Sequence, residues 1–137
     1  MDSNIVSQLH KAASAARKKS YSPYSNFKVG AALLGADGKI YAAANVENAA
    51  YPQSQCAEAS AIGVMVAAGC TEIKEVLVIA EAPGPDPVSP CGGCRQRLNE
   101  FAAPDVVVHM ANEAGVQGTI TMGELLPRSF GPKQLAK

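Results

Sequence analysis

Two short segments far apart in the chain constrain the fold more than any other feature: Cys56-Ala57-Glu58 and Pro90-Cys91-Gly92-Gly93-Cys94. Three thiols can share one metal ion only if the fold brings both segments into the same small volume. A structural zinc site normally closes its tetrahedron with four Cys or His ligands, whereas a hydrolytic site keeps one position for water. Three cysteines with a carboxylate beside them match the second count. Each segment follows a loop and opens a predicted helix. The positive end of each helix then faces the thiols and favours thiolate over thiol.

The rest of the composition narrows the class. The chain has 137 residues, of which 47% are apolar, many of them alanine. That length suits one domain over residues 1–137 with a core of small, closely packed side chains. Lys and Arg number 12 and Asp and Glu number 12, so the formal net charge is zero. A polyanion partner is not expected, which argues against nucleic acid. No apolar run reaches the ~20 residues of a membrane span. The N-terminal residues are polar and charged where a signal peptide needs a continuous apolar stretch, so a cytoplasmic protein is expected. In a reducing compartment cysteines read as metal-binding or catalytic before they read as disulfides.

Along the chain, residues 3–17 carry apolar residues at helical spacing, with Arg17 near the favourable C-terminal end. Residues 20–26 form a loop, and 28–34 and 39–45 form a hairpin around Gly35-Ala36-Asp37-Gly38. A helix is predicted over 56–68 with Gly69 as its cap, then a buried strand over 75–80. A second helix is predicted over about 91–101, with Ser89-Pro90 as N-cap and first-turn proline, then a strand over 106–110 and a helical turn over 122–126. Helices packed on a central sheet are the economical arrangement, so the fold class is α/β.

Other residues suit the same site less well. Cys70 lies a helix length beyond Cys56, roughly 20 Å away at about 1.5 Å per residue, and is expected to be a small buried hydrophobe. Neither His10 nor His109 lies near a cysteine segment. Cys91-Gly92-Gly93-Cys94 alone also fits a redox dithiol, because a C-x-x-C at a helix start lowers a thiol pKa. Cys56 beside Glu58 has no use in that chemistry, and a closed structural zinc knuckle lacks its fourth ligand.

Several segments together resemble the small, three-cysteine cytidine deaminase family. They are Tyr24-Ser25-Asn26-Phe27-Lys28-Val29-Gly30, Asn45-Val46-Glu47-Asn48-Ala49, Cys56-Ala57-Glu58, Pro90 to Gln96, and Leu125 to Pro132. The resemblance implies a three-layer α/β/α sandwich around a mixed sheet of about five strands. It also implies one zinc per chain on Cys56, Cys91 and Cys94, and a homotetramer with shared active sites. Zinc deaminases use a non-ligand glutamate as proton carrier, which implies that role for Glu58. Substrate contacts are implied for Phe27, Asn45, Glu47, Ala57 and Phe130, the last reaching a neighbouring subunit's site. The implied reaction is hydrolytic deamination of cytidine and deoxycytidine, in pyrimidine salvage.

One position departs from the pattern. The family commonly has an arginine directly after Cys-Ala-Glu, where this chain has Ala59. Three thiolates on one Zn²⁺ leave a net negative charge, and Arg95 is expected to help offset it. The same departure resembles blasticidin-S deaminase, but that enzyme lacks the Asn-Val-Glu-Asn-Ala segment. A deaminase acting on polynucleotide would need a basic groove. A non-catalytic zinc-binding subunit would have no need of Glu58.

Overall fold

The structure, a computed structural model, describes residues 3–135. Helix α1 (Ser3–Arg17) precedes an antiparallel hairpin of β1 (Val29–Gly35) and β2 (Ile40–Ala44). Then follow α2 (Ala57–Ala67), β3 (Ile73–Ala80), α3 (Gly92–Phe101), β4 (Ala102–Asn112), β5 (Gly115–Thr121) and α4 (Met122–Leu125). The strand order is β2-β1-β3-β4-β5. Only the β3–β4 pair is parallel, because α3 is the crossover between them; every other pair is antiparallel. The sheet is therefore mixed, five-stranded and flanked by helices, as the resemblance implied.

Alternation along the strands sends consecutive side chains to opposite faces. On one face Leu33, Val76, Val78 and Val108 pack with Ala61 and Met65 of α2, Leu98 of α3, and Met122 and Leu125 of α4. On the other, Ala32, Leu77, Ile79 and Ala111 pack with Leu9 and Ala13 of α1. Helix α1 sits very close to β1. A Cβ on Gly30 would lie 2.2 Å from the Ala13 carbonyl oxygen, so only glycine fits there. Gly69, at φ +93°, ends α2 in the left-handed region that glycine tolerates. No helix among the described residues is long and apolar enough to cross a membrane.

Four local expectations are corrected. The N-cap of α3 is Cys91 itself rather than Ser89. Strand β4 is about twice the expected length and follows α3 without a turn. Strand β5 is added at the sheet edge, where its two glycines and exposed side chains give no apolar alternation to read. His109, left without a role in the sequence, is buried, with Nε2 2.6 Å from Glu75 Oε2 and Nδ1 3.0 Å from Thr119 Oγ1. Among the described residues no buried side-chain N or O atom lacks a hydrogen-bond partner.

Candidate active site

Helices α2 and α3 both begin at a cysteine. Cys56 is the N-cap of α2 and Cys91 the N-cap of α3, and neither has a side-chain capping bond. The helix-end N–H groups are thus left facing the sulfurs, where their dipoles favour negative charge. Cys94 lies in the first turn of α3 and is buried, Cys56 is half-buried and Cys91 is exposed. The three sulfurs lie within 4.8 Å of one another, and Cys56 Sγ is 4.0 Å from Cys91 Sγ. A zinc tetrahedron with ~2.3 Å bonds has edges of about 3.8 Å, so this triangle is close to the size a zinc ion requires. Cys70 is buried elsewhere, its Sγ 3.5 Å from the Glu72 carbonyl oxygen.

Glu58, only 4% exposed, lies beside the sulfurs. Burial raises its pKa, while its own backbone N–H, the Cys94 thiol and the charge of Arg97 pull the other way. Burial also raises Cys56, with the charges of Cys91 and Glu58 adding to it. Burial and the Glu58 charge raise Cys94 most strongly. Burial opposes ionisation of Cys91 too, but hydrogen bonds from the Cys94 backbone and from the other two thiols leave it lowered. Four acids this close repel one another as anions, and a divalent cation relieves that repulsion. The donor set therefore fits zinc in both size and charge.

The segment after β2 is held against the start of α2 by two backbone bonds, Val46 N to Gln55 O (2.9 Å) and Gln55 N to Val46 O (2.8 Å). Tyr21 joins from the other side through Tyr21 N to Asn45 O (3.1 Å) and Glu47 N to Tyr21 O (2.8 Å). These pairings bring Asn45 and Glu47 to Cys56. Asn45 Nδ2 donates to the Phe27 carbonyl (2.8 Å), and its Oδ1 accepts from Val29 N (3.0 Å) and from the Ser20 hydroxyl. The Glu47 carboxylate accepts from Tyr24 N (3.0 Å), Ser25 N (3.1 Å) and the Ser25 hydroxyl. The Ser25 hydroxyl is the main cause of its lowered pKa.

A cleft of about 290 Å³ collects these groups. Phe27, Asn45, Glu47, Ala57 and Glu58 line it together with Cys56 and Cys91. Ser25, Val29, Val78, Val88 and Ser89 complete the walls; sequence reasoning had named none of them as site residues. Ser25 was visible in the Tyr24-Ser25-Asn26-Phe27 segment, but its bond to Glu47 depends on the Tyr21–Val46 pairing. Phe130 does not line this cleft. It is 57% exposed, and its carbonyl accepts from Gln96 Nε2 (2.9 Å) and Asn99 Nδ2 (3.2 Å).

Arg95 does not bond a sulfur. Its Nε donates to Pro90 O (2.8 Å), Nη1 to Leu125 O (3.1 Å) and Nη2 to Ser89 Oγ (3.0 Å). The side chain thus ties the loop that carries Cys91 to the end of α4. It orders one wall of the cleft rather than capping the thiolates.

Residues 3–110 match the family model described as the cytidine and deoxycytidylate deaminase zinc-binding region. The chain belongs to this family. Among similar deaminases, the cytidine deaminase of Sporosarcina psychrophila is 43% identical over 121 residues, 88% of each chain. That of Halalkalibacterium halodurans is 42% identical over 122 residues, covering 89% of this chain and 91% of its own. The crystal structure of cytidine deaminase from Burkholderia pseudomallei matches with a TM-score of 0.83 at 43% identity, covering 90% of this chain and 98% of that one. The deaminase zinc-binding region includes Cys56, Cys91 and Cys94, the three residues whose sulfurs form the triangle.

Proposed function

We propose that this protein deaminates cytidine and deoxycytidine hydrolytically, giving uridine and deoxyuridine plus ammonia. The observation that carries the reading is a buried carboxylate, Glu58, beside a zinc-sized triangle of sulfurs in a cleft that also holds Asn45 and Glu47. Cys56, Cys91 and Cys94 hold the metal. Zinc bound there supplies a Lewis acid that brings the pKa of water down to about 7.

The chain's own residues do the rest. Glu58 takes a proton from the attacking water onto a carboxylate oxygen and delivers it to N3 of the pyrimidine, which makes C4 electrophilic. The water oxygen forms its bond to C4. Glu58 then carries the second proton to the amino group, and the C4–N bond breaks with ammonia leaving. A carboxylate suits both transfers because it can bond water and ring together. Phe27 and Ala57 border the base, with the Ser25–Glu47 bond fixing the cleft rim. Asn45 and Glu47 bind the ribose 3′-OH, as donor and acceptor. That contact makes no demand on a 2′-OH, so both nucleosides are accepted.

The same reading includes a homotetramer with shared active sites, cytoplasmic location, and a role in pyrimidine salvage. Its physical support is an apolar α2, with Val64 and Val66 exposed, and the exposed ring of Phe130; in this reading that ring covers a neighbour's cleft. A helix that is apolar all round belongs in a buried setting. The test is a substrate panel of cytidine, deoxycytidine, cytosine and blasticidin S, with ammonia release and molar mass in solution. Turnover of the two nucleosides by an assembly larger than a dimer is expected. Turnover of blasticidin S alone contradicts the substrate assignment, and an active monomer contradicts shared sites.

A further inference from the structure

Asn45 and Glu47 use most of their hydrogen-bonding capacity on their own chain. Asn45 Oδ1 accepts from Val29 N (3.0 Å) and from the Ser20 hydroxyl, and its Nδ2 donates to the Phe27 carbonyl (2.8 Å). A backbone N–H on one side and a backbone C=O on the other fix which way the amide points. An amide side chain has two acceptor and two donor positions, so a single N–H is left. Glu47 Oε1 accepts from Tyr24 N (3.0 Å) and Ser25 N (3.1 Å), and Oε2 accepts from the Ser25 hydroxyl. A carboxylate has about four acceptor positions, so one is left, on Oε2. Among the described residues the pair therefore offers one donor and one acceptor, the complement of a single hydroxyl.

Ser25 sets this count. Its oxygen accepts from Phe27 N (3.0 Å), so its one hydrogen is committed to Glu47 Oε2. The chain turns back here because Asn26 takes φ +57°, left-handed backbone that asparagine tolerates, and because Asn26 N donates to Ser22 O (2.9 Å). That turn aims the Tyr24 and Ser25 N–H groups at one carboxylate oxygen and the Ser25 hydroxyl at the other. Ser25 thus joins Glu47 to Phe27, and all three line the cleft. We propose that Ser25 is a positioning residue for the deamination: through Glu47 it restricts the sugar end of the cleft to one hydroxyl that both accepts and donates. The proposal rests on the cytidine deaminase reading above, in which that hydroxyl is the ribose 3′-OH. Without the Ser25 hydroxyl, Oε2 gains a second free position and the carboxylate can pivot about Oε1.

The test is steady-state kinetics of wild type, Ser25→Ala and Ser25→Thr on cytidine and 3′-deoxycytidine, with the Kd for uridine as a readout free of chemistry. A hydrogen bond to a charged group is felt on a scale of about 10- to 100-fold, and an effect passed through Glu47 belongs at the lower end. Ser25→Ala is expected to raise KM for cytidine and Kd for uridine roughly tenfold, with kcat within about threefold of wild type. KM for 3′-deoxycytidine, which lacks the hydroxyl that Glu47 reads, should change less than about threefold. Ser25→Thr keeps the hydroxyl and should return cytidine KM to within about threefold of wild type. Equal rises in KM for the two nucleosides overturn the proposal, as does a wild-type KM for cytidine in Ser25→Ala. So does a threonine variant that behaves as the alanine one, or a loss confined to kcat. A zinc-loaded wild type that turns over neither nucleoside overturns the deaminase reading itself, a result distinct from an active enzyme indifferent to change at Ser25.

Discussion

Replacing Glu58 by glutamine changes one oxygen for an amide nitrogen at a position 4% exposed, with almost no change in volume. The packing around α2 is therefore retained. What folding loses is a first-turn carboxylate, whose interaction with the helix dipole amounts to about 0.3–1 kcal/mol. That is too little to unfold a domain of ordinary stability. Catalysis loses far more, because the amide can neither take the proton of water nor pass one to N3 or to the departing amine. A positioned general acid–base contributes about 10²–10⁴-fold, or roughly 3–5 kcal/mol of barrier at about 1.36 kcal/mol per decade. The assay is the fall in cytidine absorbance with ammonia measured in parallel, on protein whose zinc per chain and melting temperature are known. The expected result is at least a ~10²-fold loss in kcat with zinc and melting retained. Turnover within tenfold of wild type at full zinc would refute the proton-carrier role. Loss of zinc in step with activity would refute it too, by moving the effect of Glu58 to metal binding.

Other consequences are open to separate measurement. Glu47→Gln should lower kcat/KM for cytidine by about 10- to 100-fold, the scale of a hydrogen bond to a charged group, and should narrow the gap between cytidine and 3′-deoxycytidine. An unchanged gap would remove Glu47 from the ribose contact. His109→Leu leaves buried Glu75 without its 2.6 Å partner and should cost about 3 kcal/mol in urea unfolding, much of it recovered when Glu75 is also made apolar. Glu113 has its pKa lowered from 4.5, first by the Ser14 hydroxyl and then by Arg17. Its contribution is therefore complete above pH 4.5 and is lost as pH falls through the lower folded value. Glu113→Gln should flatten the acid side of the stability curve, and an unaltered curve would show that the pair adds nothing.

What could be read from the chain alone depended on how local the determining physics is. Helix α1 was legible from its apolar spacing and α2 from its end signal Gly69, because both signals are local to the segment. The zinc residues were legible because their count and spacing already limit the chemistry. Strand β5 was not, since an edge strand with Gly115 and Gly118 takes its order from pairing with β4. Arg95 was assigned to the thiolates because it follows Cys94 in sequence. In the fold its helix turns it toward Pro90, Ser89 and Leu125, a contact that spans the C-terminal turn. The pairing of His109 was not legible for the same reason: Glu75 and Thr119 reach it only through strand register.

In the proposed reading, Cys56, Cys91 and Cys94 hold one zinc ion that, with Glu58, makes the cleft a deaminase site. The most direct measurement strips the metal and returns zinc in increments while ammonia release from cytidine is followed. No turnover is expected in the stripped protein, with a linear rise on addition of zinc and saturation at one ion per chain. Full ammonia release from protein shown to be free of metal would contradict it.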